Sequence, residues 1–423
     1  MQVGAGGGQA GPLEMPASAW FEYLLGVPEA QWLAAREASL VPAPSPAGVP
    51  PRFGQYFSLR NLAHPERAAL CAGAFSVWTL AELQALAAAA PAGAAAAPPP
   101  VFEIHARTHE ACLAQVEASA LQVAAAPNTM FQVASNFNAC EVPAAHLPVD
   151  SGTFVTCLME DHTQGPACAS GAATAAVTRT HAAFYAPGMP PSAWGQGAQR
   201  QVELLGHPAL RPHFPVHNGK LYAYDGGGGG GGGGAPPWDA DAPPASHPLL
   251  PRVALGLHID CPALFVRPPG LARGKACALH RDPASAPRID QALVAAMDTG
   301  APGARALSPR ERDSKMALLL HAAYQLTYAA AAARGSAVLV LTLVGGGVFR
   351  NPLPAIAQAI AAAHAAWAHR MPRLRRVELP LFPVGADAGA LAAGLRAGGL
   401  AGVRVVRHGL DAAGARTRQE SED

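Results

Sequence analysis

Between Ala337 and Val344 the chain is apolar except at Thr342, and the run ends in Gly345, Gly346 and Gly347. Asn351 and Pro352 then open an alanine-rich stretch with a helical apolar period. This pattern predicts a buried parallel strand, a tight glycine loop and a helix. Pro352 suits the first helical turn, where a missing N–H costs little. Further strand-like segments lie on both sides of it. The segments VFEIH (101–105), MFQVAS (130–135), VALGLHI (253–259) and RVELPLF (376–382) predict strands. Residues 108–125 predict a helix with Leu113, Val116, Ala120 and Val123 near one face. Residues 166–185 predict a helix of small residues, and 313–334 one that buries Leu319, Ala323, Leu326 and Ala330. Strands alternating with helices predict an α/β domain over 101–408, its mixed, mainly parallel sheet flanked by helices. In such sheets ligands sit beyond the carboxyl ends of the strands.

The first hundred residues read differently. Residues 1–17 are expected to be disordered. Residues 18–100 are expected to form an N-terminal helical extension, with a helix over 20–40 broken at Gly26, Val27 and Pro28 and a proline-rich joint over 42–51. Short strands are expected at 53–60 and 73–78. Thr79 is expected to cap a helix over 80–90, in the pattern TLAEL. An Ala/Pro linker follows at 91–100.

Composition changes this picture only in places. The 423 residues include 44 glycines and 41 prolines, too many for a uniformly folded chain. Nine consecutive glycines at 226–234, with the proline-rich stretch to 247, predict a flexible surface insertion. Residues 409–423 are expected to be a disordered tail. A net charge of +1 gives no field favouring nucleic acid or an anionic membrane. No apolar run approaches a membrane span, and the N-terminus lacks a signal-peptide pattern. The seven cysteines form no CxxC pair. They read as reduced thiols of an intracellular, cytoplasmic protein.

Three constellations carry candidate chemistry. Backbone amides of Gly345, Gly346, Gly347, Val348 and Phe349 at a helix start suit a phosphate, with Asn351 as a further ligand-binding candidate. No Lys-Ser/Thr follows, so this is not a Walker loop, and Arg350 stands where a dinucleotide fingerprint needs its third glycine. The segment FQVASNFNACE ends a strand in Asn136 and Asn138, whose carboxamides suit ribose hydroxyls or a turn. The segment EDHTQGP places Asp161, Thr163, Gln164 and Gly165 before a helix start, with Glu160 and Asp150 nearby. A Cys/His nucleophile built from His162, Cys157 and Cys168 needs proximity that spacing does not supply. His105 and His109 have HxxxH spacing but fall on a strand end and a helix start, so no metal site is expected.

Together these segments resemble the macrodomain superfamily of ADP-ribose binders and hydrolases. LTLVGGGVFRNPLPAIAQAI looks like its second phosphate loop, FQVASNFNACE like the strand with its ribose-contacting asparagine, and EDHTQGP like the stretch that replaces the first loop in a divergent branch. That branch is similar to arginine-specific ADP-ribosyl hydrolases and is related to the poly(ADP-ribose) glycohydrolases. The triple glycine with paired glutamates of the glycohydrolase signature is absent. The resemblance implies an ADP-ribosyl hydrolase acting on modified arginine, with ADP-ribose and ADP-ribosylated protein as partners and no cofactor. It implies Asp161 as the catalytic carboxylate, assisted by Asp150 or Glu141. A non-catalytic ADP-ribose reader and a nucleotide-dependent oxidoreductase are the alternatives.

Overall fold

The computed structural model describes residues 13–16, 19–46, 49–89, 98–141, 147, 149–150, 171–221, 237–266, 276–279 and 283–421. In the N-terminal part, β1 (Leu13–Pro16), α1 (Trp20–Leu25), α2 (Glu29–Ser39), β2 (Leu40–Ala43), β3 (Tyr56–Leu59), β4 (Leu70–Thr79) and α3 (Leu80–Ala88) follow in order. The next elements are β5 (Val101–Arg107), α4 (Ala118–Val123), β6 (Thr129–Ala134), α5 (Ala173–His181) and a short hairpin, β7 (Val216–His217) with β8 (Lys220–Leu221). Then come β9 (Ala254–Pro262), β10 (Phe265–Val266), β11 (Ala276–Leu279), β12 (Arg288–Val294), α6 (Pro302–Ala306) and α7 (Pro309–Arg334). The chain closes with β13 (Val338–Val340), α8 (Leu353–Trp367), β14 (Arg376–Val384), α9 (Ala388–Ala397), β15 (Val403–Leu410) and β16 (Arg416–Ser421).

One mixed sheet of eleven strands organises these elements, in the order β16-β15-β5-β14-β13-β6-β12-β9-β4-β3-β2. The strands from β15 to β12 run parallel. Antiparallel strands extend both sides: β16 on one edge, β9, β4, β3 and β2 on the other. The α/β sandwich expected from the pattern is therefore present, with its parallel part at the centre. Helices α7 and α8 pack together, and α7 is apolar nearly all round because it is buried along most of its length.

Local chemistry sets the helix ends. The Thr79 hydroxyl accepts from Glu82 N–H while the Glu82 side chain accepts from Thr79 N–H, the reciprocal cap that TLAEL predicts. Ser308 caps α7 with Pro309 in its first turn, so this helix starts before residue 313, and left-handed Gly335 ends it. Pro352 is the cap of α8 rather than a residue of its first turn.

Several expectations need correction. Strands β2, β3 and β4 join the central sheet, so residues 18–100 are not an appended helical unit. Leu13–Pro16 pairs with β11 inside the stretch expected to be disordered. The tail expected to be disordered forms β16, because Asp411 Oδ1 accepts from Ala413 and Ala415 N–H and Gly414 takes φ +80° to close a turn. The helix expected over 108–125 splits into a 3-10 turn, Glu110–Gln115, and α4. Val116 leaves helical geometry, and the Glu117 carboxylate restarts the chain by accepting from Ala120 N–H. The proline-rich stretch after the glycines is anchored at Trp238, which stacks on His247 and donates to Ser314 of α7. The glycines themselves, most of the Ala/Pro linker and residues 1–12 lie outside the described residues.

The N-terminal helices build a second apolar cluster. Trp20, Phe21, Leu24 and Trp32 pack against Ala173, Ala176 and Val177 of α5. Trp32 is fully buried with its ring centroid 5.0 Å from that of His181. Trp32→Ala is expected to cost about 3–5 kcal/mol through lost burial and a cavity. Urea unfolding checks this; an unchanged midpoint would mean that the helices do not brace α5.

Candidate functional site

The carboxyl ends of β12, β6 and β13 are neighbours, and each opens into a loop. Strand β13 is shorter than its apolar run suggests. After Val340 the chain peels away, because Gln132 Oε1 accepts from Thr342 N–H where a strand neighbour would otherwise serve. The buried Tyr324 hydroxyl, reaching from α7, donates to Thr342 C=O at 2.8 Å and accepts from Val344 N–H at 3.2 Å. Burial pushes this phenol up, so it stays protonated as a donor.

The glycine loop begins immediately beyond. Gly345 has φ +76°, and a Cβ there would stand 2.8 Å from Asn351 Cγ and 2.9 Å from Ala296 Cβ. Only glycine combines that dihedral with that space. Gly346, Gly347 and Val348 are exposed, and Val348 is 70% accessible. A Cβ on Gly347 would meet nothing within 4 Å. Thr299, in the loop after β12, holds the far side: its N–H and hydroxyl donate to Phe349 C=O at 3.2 and 2.9 Å. Arg350 then adopts φ +57°, a left-handed conformation that side chains rarely take. The loop is held at both ends and presents bare backbone between them.

Asn351 serves the loop's own backbone through its amide groups, while its Oδ1 is buried without a hydrogen-bond partner among the described residues. It is buried, its N–H bonds Gly345 C=O, and its Nδ2 donates to Met297 C=O at 2.8 Å and Phe349 C=O at 3.1 Å. It staples the loop shut from within. Phe349 is half-buried against the main core.

The loop after β6 resolves the two asparagines. Asn138 is fully buried; its Oδ1 accepts from Cys140 N–H and its Nδ2 donates to Gln201 Oε1, both at 3.0 Å. It is occupied with structure, contrary to the expected ribose contact. Asn136 is 5% exposed, and its Nδ2 is buried without a partner among the described residues. Such an orphan donor costs about 1–3 kcal/mol until something accepts from it. Ala139 completes the turn at φ +59°.

Of the expected carboxylates, Glu141 is half-buried beside Cys140, and its charge is felt at Cys140 and at Arg179. Asp150 is exposed, its Oδ2 2.6 Å from where a Cβ on Gly197 would stand. Asp161, Thr163, Gln164 and Gly165 lie outside the described residues, as do Glu160, His162, Cys157 and Cys168. Burial pushes the Cys140 thiol up, which keeps it from acting as a nucleophile.

Sequence reasoning missed four participants. Arg179 is a buried guanidinium on α5 whose Nη1 donates to Gln291 Oε1 at 3.4 Å. Gln196, also buried, donates to the carbonyls of Asn138 and Arg179 and so ties α5 to the asparagine loop. Thr299 and Tyr324 brace the glycine loop. Only Thr299 left a readable mark, in MDTG, where Asp298 Oδ1 accepts from Gly300 N–H.

Elsewhere, Glu103, His105 and Glu378 converge on one face of β5 and β14. Arg418 lies 3.5 Å from Glu103, Arg376 pairs with Glu378, and His105 Nδ1 meets His408 Nε2 at 3.1 Å. Guanidinium groups already serve these carboxylates, so the cluster reads as a cross-strand ion-pair network. The hydrogen bond from His105, then the nearby arginines, holds the Glu103 carboxyl below its ordinary range. Among the described residues no helix is long and apolar enough to cross a membrane.

No protein-family model and no curated protein matches the chain. Among solved structures, a poly(ADP-ribose) glycohydrolase from Thermomonospora curvata is 16% identical, with 88% of this chain and 97% of that chain covered at a TM-score of 0.39. One from Deinococcus radiodurans, in complex with ADP-ribose, is 14% identical, with 77% and 93% covered at 0.37.

Proposed function

We propose that this protein is an ADP-ribosyl hydrolase that removes ADP-ribose from modified arginine on proteins. The observation that carries the reading is a juxtaposition: the exposed loop 346–348 beyond β13, and beyond the neighbouring strand β6 the buried Nδ2 of Asn136, which has no partner among the described residues. Gly346 N–H already donates to Leu343 C=O, and the amides of Gly347 and Val348 in the exposed loop before α8 suit the diphosphate. An orphan carboxamide donor suits a ribose hydroxyl. Gly345 to Phe349 then hold the phosphates together with Thr163, Gln164 and Gly165, which lie outside the described residues, and Asn136 orients the distal ribose.

In the reaction, water attacks ribose C1″ as its bond to the guanidinium nitrogen breaks, and the nitrogen takes the pair and a proton. Positive charge develops at C1″ in the transition state, and a nearby carboxylate stabilises it. Asp161 takes this role, with Asp150 or Glu141 orienting water. An acidic rim also favours the approach of a cationic arginine substrate.

The test is release of ADP-ribose from ADP-ribosyl-arginine protein. Asp161→Ala is expected to cut turnover by about 10²-fold or more while ligand binding changes far less. Glu160→Ala is the control, because it removes the neighbouring charge and leaves Asp161 in place. If Asp150→Ala or Glu160→Ala abolishes release and Asp161→Ala does not, the assignment of the carboxylate is wrong. Binding of ADP-ribose without release from any linkage would make the protein a reader.

A further inference from the structure

Asn138 does not end its bonding at Gln201. Gln201 Nε2 donates onward to Asn218 Oδ1 at 2.8 Å, and Asn218 Nδ2 donates to Leu147 C=O at 2.5 Å. The three carboxamides form one directed chain, each accepting through oxygen and donating through nitrogen. It starts in the loop after β6 and ends three residues before Asp150. Its middle member belongs to the 196–204 segment, which touches both ends: Gln196 Nε2 donates to Asn138 C=O at 3.1 Å, and Gly197 lies against the Asp150 carboxylate.

The hairpin of β7 and β8 closes the arrangement from above. Phe137 N–H donates to Gly219 C=O at 2.7 Å, and a Cβ on Gly219 would stand 2.6–2.7 Å from the carboxamide atoms of Asn138. Asn218 itself takes φ +47°, a left-handed conformation that asparagine tolerates better than most residues. With Gly219 at φ +74° it forms the left-handed Asn-Gly pair that a two-residue hairpin turn prefers, which places the hairpin tip on Asn138.

We infer that Asn138, Gln201 and Asn218 form a positioning relay that fixes the asparagine loop and the Asp150 segment relative to each other. None of the three needs to touch substrate. The relay rests on the hydrolase reading for its consequence, turnover, but not for its existence. It also gives the hairpin a role: its tip sets the register of the ligand loop.

The experiment compares the full-length protein with Gln201→Leu, Gln201→Glu and Gly219→Ala. Hydrogen exchange is read on peptides carrying Asn136–Cys140, Val149–Asp150 and the glycine loop, alongside kcat and ADP-ribose affinity. Gln201→Leu removes both links, so exchange should rise about tenfold in the first two peptides and stay unchanged in the glycine loop. Gln201→Glu keeps the acceptor for Asn138 and loses the donor to Asn218, so only the Val149–Asp150 peptide should loosen. Gly219→Ala should loosen the Asn136–Cys140 peptide from the hairpin side. In an active parent, Gln201→Leu should lower kcat at least tenfold with ADP-ribose affinity within twofold, and Gln201→Glu should fall between it and the parent. Unchanged exchange in Gln201→Leu overturns the relay whether or not the parent is active. Raised exchange with unchanged kcat in an active parent overturns its positioning role. An inactive parent with the predicted exchange pattern retires the hydrolase reading and leaves the relay standing.

Discussion

Valine at Gly347 is expected to abolish ADP-ribose binding, by about 100-fold or more, while the melting temperature stays within a degree or so of the parent. The two glycines before it make poorer probes. A side chain at Gly345 strikes Asn351 and Ala296 and needs a left-handed backbone, so its loss of binding would be confounded with misfolding. One at Gly346 presses on Ile356 Cδ1 at 3.1 Å and Leu343 Cβ at 3.2 Å. At Gly347 a Cβ meets nothing within 4 Å among the described residues. An added isopropyl group there is therefore expected to obstruct a ligand approaching the exposed backbone. Unperturbed affinity in Gly347→Val, measured by calorimetry, would place the phosphates elsewhere.

The second large effect is acid sensitivity. Burial pushes His181 and His258 down to about 3, and His364 and His408 down to about 4. All four folded values lie below the unfolded value of about 6.5. Between the two values the unfolded chain binds more protons, so stability rises with pH there and is lost on acidification. Above about pH 6.5 these groups add no pH dependence. At about pH 5 each fully buried ring, His181 and His258, costs about 2 kcal/mol. Together that is a large part of a typical domain's stability. Glu103, whose carboxyl is held low by His105, loses stability on acidification as well. Asp290 works the other way, because burial raises its carboxyl despite the bond from Arg334. His181 isolates the effect: neither ring nitrogen has a partner among the described residues, and the ring packs on Trp32. His181→Phe should keep that packing and shrink the loss of melting temperature between about pH 7 and pH 5. An identical pH slope in the variant would mean that the ring is hydrated.

The parts legible in the sequence share a cause. The capping box at Thr79, the long apolar α7 and the step from β13 through the glycines to α8 are local signals, written in adjacent residues. The parts that were not legible depend on tertiary partners. Residues 108–125 carry a helical period, yet Glu117 captures the amide of Ala120 and divides them. Asn136, Asn138 and Asn351 look alike in sequence. One holds an unpaired donor, one begins a relay and one staples a loop, and only the fold distinguishes these uses. The run 337–344, apolar except at Thr342, reads as one long strand because the bonds that end it, from Gln132 and Tyr324, come from distant segments. The strand β16 was hidden by its polar composition, RTRQES, which suits a solvent-facing edge as readily as a disordered tail.

The central claim is that water replaces arginine at ribose C1″ in the crevice between the β6 and β13 loops. Incubating the protein with ADP-ribosyl-arginine protein in heavy-oxygen water tests it most directly. The account predicts free ADP-ribose with the heavy oxygen on C1″, unmodified arginine on the protein, and neither product from Gly347→Val. No ADP-ribose released from any linkage, or equal release by Gly347→Val, would contradict it.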